Sequence, residues 1–269
     1  MARRASSVRD VSGNRLSSVA TAVRVLKSFT STHPNWGVSD LASHLGVSTS
    51  TVHRVLSTLT DEGLLEQDIE SGRYRLGLAL FDLAAAVPSQ RNLHEAVLLP
   101  MTDLRNATGE TVQVGVLDGR QVVYVERLDS PNTLRMFTEL GRRSDAHCTG
   151  SGKALLAFMP EAALKRLLDG WVLSRKTEYT ITTRRELSAR LKEVRERGYA
   201  ENRHESEVGV VSIAAPIRNA SGETIAALSV AGPAERIDDR QDQIADAVRT
   251  LALSTSRRLG FSGRLVRPI

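Results

Sequence analysis

The sequence predicts an α+β protein in two parts: three short helices closed by a β-hairpin, then an antiparallel sheet domain with flanking helices. Three observations carry this. From Val38 to Leu76 the chain reads VSDLASHLGVSTSTVHRVLSTLTDEGLLEQDIESGRYRL, with helical apolar spacing, a glycine turn, a second helical stripe and two short strands. Further on, Val112–Leu117 and Gln121–Arg127 flank Asp118-Gly119, and Val210–Ile217 and Glu223–Val230 flank Asn219–Gly222, two hairpin patterns. Helical stripes lie around these hairpins, which implies an antiparallel sheet with helices packed on it.

Residues 1–15 are rich in Arg, Ser and Gly without apolar periodicity and read as a flexible basic arm. From Ser18 a helical stripe returns, with Val19, Val23 and Leu26 widened by Ala22 and Phe29. His33–Gly37 ends that helix. Ser39 is the expected N-cap of the next helix, Leu41 and Leu45 face inward, and Gly46 closes it. Ser48 caps a third helix carrying Val52, Val55, Leu56 and Leu59, until Gly63 stops it. Strands at Leu64–Gln67 and Arg73–Leu76 then meet at a turn containing Ser71-Gly72. These elements set a first domain at 16–77. A connector helix and linker follow at 78–91, with Leu76, Leu80, Leu83 and Phe81 on one apolar face and a break at Pro88. That face packs against a partner subunit or within the subunit. The second domain spans 92–269. It opens on a stripe of Leu93, Val97, Met101 and Leu104, and has helices at Ser151–Phe158, at Glu161–Asp169, around Leu187, Leu191 and Val194, and from about Asp239.

At 269 residues the chain is long enough for two modest cores. No apolar run approaches the roughly 18 residues needed to cross a bilayer. A single cysteine, Cys148, rules out an internal disulfide. The basic N-terminus lacks the apolar segment of a secretory signal, so a cytoplasmic location is expected. The net charge of +5 permits nucleic-acid binding without establishing it. Residues 1–76 hold nine Lys/Arg against seven Asp/Glu, so neither part is strongly basic. The case for DNA rests on pattern instead.

Helix, tight turn, helix and hairpin in that order match a winged helix-turn-helix, whose second helix enters the major groove. The first turn of such a helix favours small polar groups, and Thr49, Ser50 and Thr51 supply them. His53 and Arg54 extend the same exposed side towards bases or phosphates. Arg73 and Arg75, two apart on the second wing strand, are placed for phosphate or the minor groove. A Ser/Thr cluster alone would be no more than a good helix N-terminus. Its coincidence with three helices, the Gly46 turn and a basic hairpin favours duplex DNA.

Several segments then point to a family. SVATAVRVLKSF, LASHLGVSTSTVHRVLSTLTDEGLLEQ, YRLGLALFDLA, HCTGSGKALLAFMP, RGYAENRHE and GVVSIAAPIRNASGETIAALSVAGP resemble the IclR-type bacterial transcriptional regulators over nearly the whole chain after the arm. The resemblance implies a winged helix, a connector helix and a GAF-like effector-binding domain. It also implies homodimers, often paired into homotetramers, on palindromic double-stranded operators. Family members respond to small organic acids or aromatic metabolites, as repressors or activators; a repressor is the reading taken here. By the same motifs, Thr149, Gly150 and Ser151 form a loop at a helix N-terminus whose amides suit an anion, and Asn202, Ser212 and Ser229 face it. Ser212 and Ser229 could equally hydrogen-bond within the sheet. Ser212 stands where cysteine is frequent, Asn202 where an acid is frequent, and Ala231 where some members carry a second serine. The small-acid pattern is therefore incomplete, and the effector's chemical class stays open.

Enzyme signatures are weak. Ser151-Gly152-Lys153 resembles the end of a phosphate loop, but His147 stands where its first glycine belongs and Ala154 replaces the metal-binding hydroxyl. Cys148 beside His147 lacks an oriented third group. His147, His204, Glu205 and Glu207 do not have metal-ligand spacing, so no metal or cofactor is expected. An effector-controlled regulator is the expected function, with a DNA-tethered enzyme of small-metabolite chemistry as the alternative.

Overall fold

The computed structural model describes residues 17–30, 32–85, 90–133 and 140–263. The basic arm and Pro88 lie outside them. The chain forms two compact units, Met1–Pro88 and Ser89–Ile269.

In the first unit, helices α1 (Ser17–Lys27), α2 (Val38–Leu45) and α3 (Thr49–Asp61) pack around Val25, Leu41, Val52 and Leu56, all fully buried. A ribbon of β1 (Leu65–Gln67) and β2 (Tyr74–Leu76) follows, in antiparallel register with Leu65 opposite Leu76. Two expectations need correcting. Val19 and Val23 are exposed, and α1 instead buries Val25 and Phe29. Ala22 and Leu26 belong to both candidate stripes, so periodicity alone does not choose between them. The second correction concerns α2, which begins at Val38 after Gly37 rather than at a Ser39 cap. Gly46 does close α2, at φ 66°, with its amide donating to the Ala42 and Ser43 carbonyls. Trp36 adds a backbone bridge to Tyr74 that extends the ribbon. Helix α4 (Ala79–Ala85) leaves Phe81 and Leu83 exposed, as is the preceding Leu78.

The second unit is a six-stranded antiparallel sheet. Its strands are β3 (Thr111–Asp118), β4 (Gln121–Leu128), β5 (Arg143–Asp145), β6 (Ala200–Arg203), β7 (Val210–Arg218) and β8 (Thr224–Pro233), in the order β5-β4-β3-β8-β7-β6. Period-two alternation sorts its side chains by face. Val112, Val114, Val211, Ile213, Leu228 and Val230 pack against α5 (Gln90–Thr108) and α10 (Gln241–Arg258). On the other face lie α6 (Gly150–Ala157), α7 (Glu161–Leu168) and α8 (Arg184–Arg197), over Tyr124, Ala214 and Ala227. The short helix α9 (Ala234–Ile237) links β8 to α10. Strands β5 and β6, absent from the sequence reading, form the two edges of the sheet.

Glycine lets α6 approach the sheet. A Cβ on Gly152 would sit 2.1 Å from the Ala146 carbonyl oxygen, and one on Gly150 would sit 2.9 Å from Ser212 Oγ. The Thr-Gly-Ser-Gly run is thus a packing requirement as well as a polar loop.

Candidate functional site

The DNA-reading candidates sit on α3 and the ribbon. Ser48 caps α3: its Oγ accepts the Thr51 amide at 3.2 Å and lies within hydrogen-bond distance of the Ser50 and Thr51 hydroxyls. The hydroxyls of Ser50 and Thr51 therefore already serve the helix end. Thr49, His53 and Arg54 are exposed while Val52 and Leu56 are buried. Among the described residues, the His53 and Arg54 side chains make no hydrogen bond or ion pair, which leaves their donors for a ligand. The wing arginines differ. Arg75 donates through Nε to Glu66 Oε2 at 3.0 Å, with NH2 2.9 Å from the same oxygen. Arg73 lies 3.4 Å from Asp40 Oδ2 and donates to the Asn35 carbonyl at 3.3 Å. Both stay exposed, but their charge is partly balanced at home.

A second site opens on the α6 side of the sheet, a cavity of about 280 Å³. Its floor follows the register: Asn202 pairs with Ser212, Ser212 with Ala231, and Gln113 with Ser229. At the β5 edge the wall holds Arg142, Arg143, Ser144 and Asp145, with Lys176 opposite Asp145. Ser206, Glu207 and Val210 line the β6 end.

The anion-cradle expectation for the start of α6 does not hold. The Gly150 amide donates to Ser212 Oγ at 3.3 Å, and the Gly152 amide to Thr149 Oγ1 at 3.1 Å. Those donors are engaged within the fold. Thr149, Asn202, Ser212 and Ser229 line the cavity, whereas Gly150 and Ser151 are buried but absent from its lining. Asn202 also organises the adjoining turn: Oδ1 accepts the Glu205 and Ser206 amides at 2.9 and 3.3 Å, and Nδ2 donates to Ser206 Oγ at 2.8 Å. Ser229 Oγ donates to the Gln113 carbonyl at 3.3 Å. The alternative kept for the two serines is thus half right: both bond within the fold and both reach the cavity.

Electrostatics argue against covalent chemistry here. Burial pushes the Cys148 thiol up to about 12, so it stays protonated at neutral pH. Its Sγ donates to the Asp145 carbonyl, while the His147 ring bonds the Ser174 carbonyl at 3.0 Å. The two side chains face different partners and form no nucleophile–base pair. Burial likewise raises the Tyr124 hydroxyl to about 12. Asp145 is raised by burial but lowered more by Lys176, Ser174 and Gln121 together, and ends below its ordinary 3.8. Among the described residues no cluster of His, Cys, Asp or Glu has a metal-binding arrangement.

Sequence reasoning missed Gln113, Tyr124, Arg142 and Lys176. Gln113 carried a readable signal, being the one polar side chain in Val112-Gln113-Val114. Lys176 lies in the irregular segment between α7 and α8 and had none.

Comparison with known proteins follows this geometry. Residues 18–68 match the IclR helix-turn-helix domain, and residues 85–257 match the domain described as bacterial transcriptional regulator IclR C-terminal. The chain belongs to the IclR family. It is 33% identical over 247 residues to the HTH-type transcriptional regulator XynR of Escherichia coli K12, covering 91% of this chain and 98% of that one. It is 35% identical over 226 residues to KdgR of the same organism, covering 84% and 86%. Among solved structures, an IclR homologue from Microbacterium hydrocarbonoxydans complexed with 4-hydroxybenzoate superposes with a TM-score of 0.80 at 28% identity, covering 90% of this chain and 98% of that one. As an IclR-family member, the chain is a DNA-binding transcriptional regulator and not an enzyme. No helix among the described residues is long and apolar enough to cross a membrane.

Proposed function

We propose that this IclR-family chain is a cytoplasmic repressor whose grip on a palindromic operator is set by a small organic anion in the sheet-domain cavity. The carrying observation is the cavity itself: a polar, net-cationic chamber beneath a sheet, in a chain that also presents Thr49, His53 and Arg54 on an exposed helix. Thr149, Asn202, Ser212 and Ser229 are the effector contacts proposed, with the Ser151 hydroxyl acting behind them through Tyr124. Thr49, Ser50, Thr51, His53, Arg54, Arg73 and Arg75 are the DNA contacts proposed. A carboxylate ligand in a structural relative supports the anionic class.

A two-fold dimer supplies two recognition helices one turn of duplex apart. Exposed Leu78, Phe81 and Leu83 offer apolar surface for such pairing. The effector need favour one geometry of the dimer by only about 1–3 kcal/mol to switch occupancy usefully.

The test is footprinting on promoters beside its own gene, titrated with a pooled metabolite extract. Ala231→Trp, which fills the cavity, should keep the footprint and lose its response to the pool. A footprint that responds equally in both proteins places effector control elsewhere. No footprint under any condition removes the regulator reading.

A further inference from the structure

We propose that the effector is a polyhydroxylated carboxylate, with its carboxylate at the Arg142–Lys176 wall and its hydroxyls along Gln113, Ser229, Ser212 and Asn202. This rests on the reading of the cavity as the effector pocket.

Charge sets the anionic end. The described lining holds three cations, Arg142, Arg143 and Lys176, against two carboxylates, Asp145 and Glu207. All three cations lie at the β5 wall, where Asp145 is balanced by Lys176 at 2.9 Å. Glu207 stands at the β6 end, so a carboxylate there would meet a like charge while a hydroxyl would find an acceptor. Neither Tyr124 nor Cys148 adds negative charge near neutrality. The engaged amides of Gly150 and Gly152 remove the competing anion seat at α6.

The floor sets the hydroxylated part. Ser212 Oγ accepts from Gly150 and so keeps its proton to donate; Ser229 Oγ donates to the Gln113 carbonyl and keeps lone pairs to accept. A hydroxyl group, which both gives and takes, suits that adjoining pair. Val210 and Ala231 are the aliphatic side chains of the described lining and Tyr124 its one aromatic ring, a poor bed for a benzene ring. The volume of about 280 Å³ equals roughly nine waters at ~30 Å³ each, room for an acid of about a dozen heavy atoms.

Calorimetric titration of the full chain at pH 7 with gluconate and with benzoate decides the matter. Gluconate should bind at least tenfold more tightly than benzoate. Arg142→Gln, at an exposed position, should weaken gluconate at least tenfold, and Ser212→Ala with Ser229→Ala should narrow the preference over benzoate. Benzoate bound in preference, or gluconate binding that these variants leave unchanged, overturns the proposal while the effector reading stands. Binding of neither anion also overturns it; the effector reading then depends separately on the Ala231→Trp footprint.

Discussion

Lys153 of α6 and Glu205, beyond β6, form an ion pair in which the lysine is fully buried. Burial pulls the Lys153 ammonium below its ordinary 10.5, with Glu205 opposing that pull. Between the lowered value and 10.5 the unfolded chain binds a proton that the folded one does not, so stability rises with pH there. The second carboxylate oxygen of Glu205 is buried without a partner. Removing the lysine alone strands a buried charge beside Ser206 and Glu207. Lys153→Met should therefore cost about 3–5 kcal/mol in urea unfolding at pH 7, and adding Glu205→Leu should restore most of it. Additive losses in the double variant would show that the pair is not coupled.

His147 gives a second pH dependence of stability. Its ring is buried against the Ser174 carbonyl, which can only accept, so Nε2 carries the proton. Burial, the leading cause, holds its pKa below the ordinary 6.5. The unfolded chain then takes up a proton near 6.5 that the folded one refuses. Stability should be full above that pH and fall on acidification, by at most about 1.4 kcal/mol per pH unit, until the folded pKa is passed. His147→Gln should flatten the limb between pH 6.5 and 5 in melting curves. Parallel curves for both proteins would exclude His147 as its source.

How far the sequence revealed this molecule depended on whether a feature was local. Ser48, Gly46 and the Asp118-Gly119 turn act over a few residues, and each behaves as its chemistry dictates. Strands β5 (Arg-Ser-Asp) and β6 (Ala-Glu-Asn-Arg) contain almost no apolar side chains; they exist because a neighbouring strand offers them a ladder. The cavity shows the same divide. Asn202, Ser212 and Ser229 were visible through family motifs, while the Asp145–Lys176 wall joins residues thirty-one apart through an irregular segment. The α6 amides misled for a related reason: only the fold shows that Ser212 and Thr149 already accept from them.

On the DNA face, Arg54 and Arg75 should behave differently. Arg54→Ala removes donors that no described residue uses, and should weaken operator binding by about 1–3 kcal/mol with relaxed preference at one base position. Equal loss on random DNA would reassign Arg54 to phosphate. Glu66 holds Arg75 in the wing. Glu66→Gln should release it and raise affinity for operator and random duplex alike, steepening the salt dependence by up to about 0.9 in log–log slope. An unchanged slope would mean that Arg75 does not reach the backbone.

Gly152 links packing to the cavity. Its missing side chain lets the first turn of α6 lie against the Ala146 carbonyl, where a Cβ would come within 2.1 Å. Backbone atoms cannot rotate away as a flexible side chain can, so Gly152→Ala must move the helix start. Thr149 lies in that same turn, joined to Gly152 by the 3.1 Å cap. The expected cost is about 1–3 kcal/mol in unfolding, the usual range for forcing a methyl into a filled interior. Effector affinity should fall with it, while operator binding, made by the other unit, should not. Ala154→Gly, two residues on and equally buried, is the control: it loosens α6 by about 1 kcal/mol without pressing on Ala146. If both variants lost effector affinity equally, helix stability rather than the close approach at Gly152 would be what shapes the cavity.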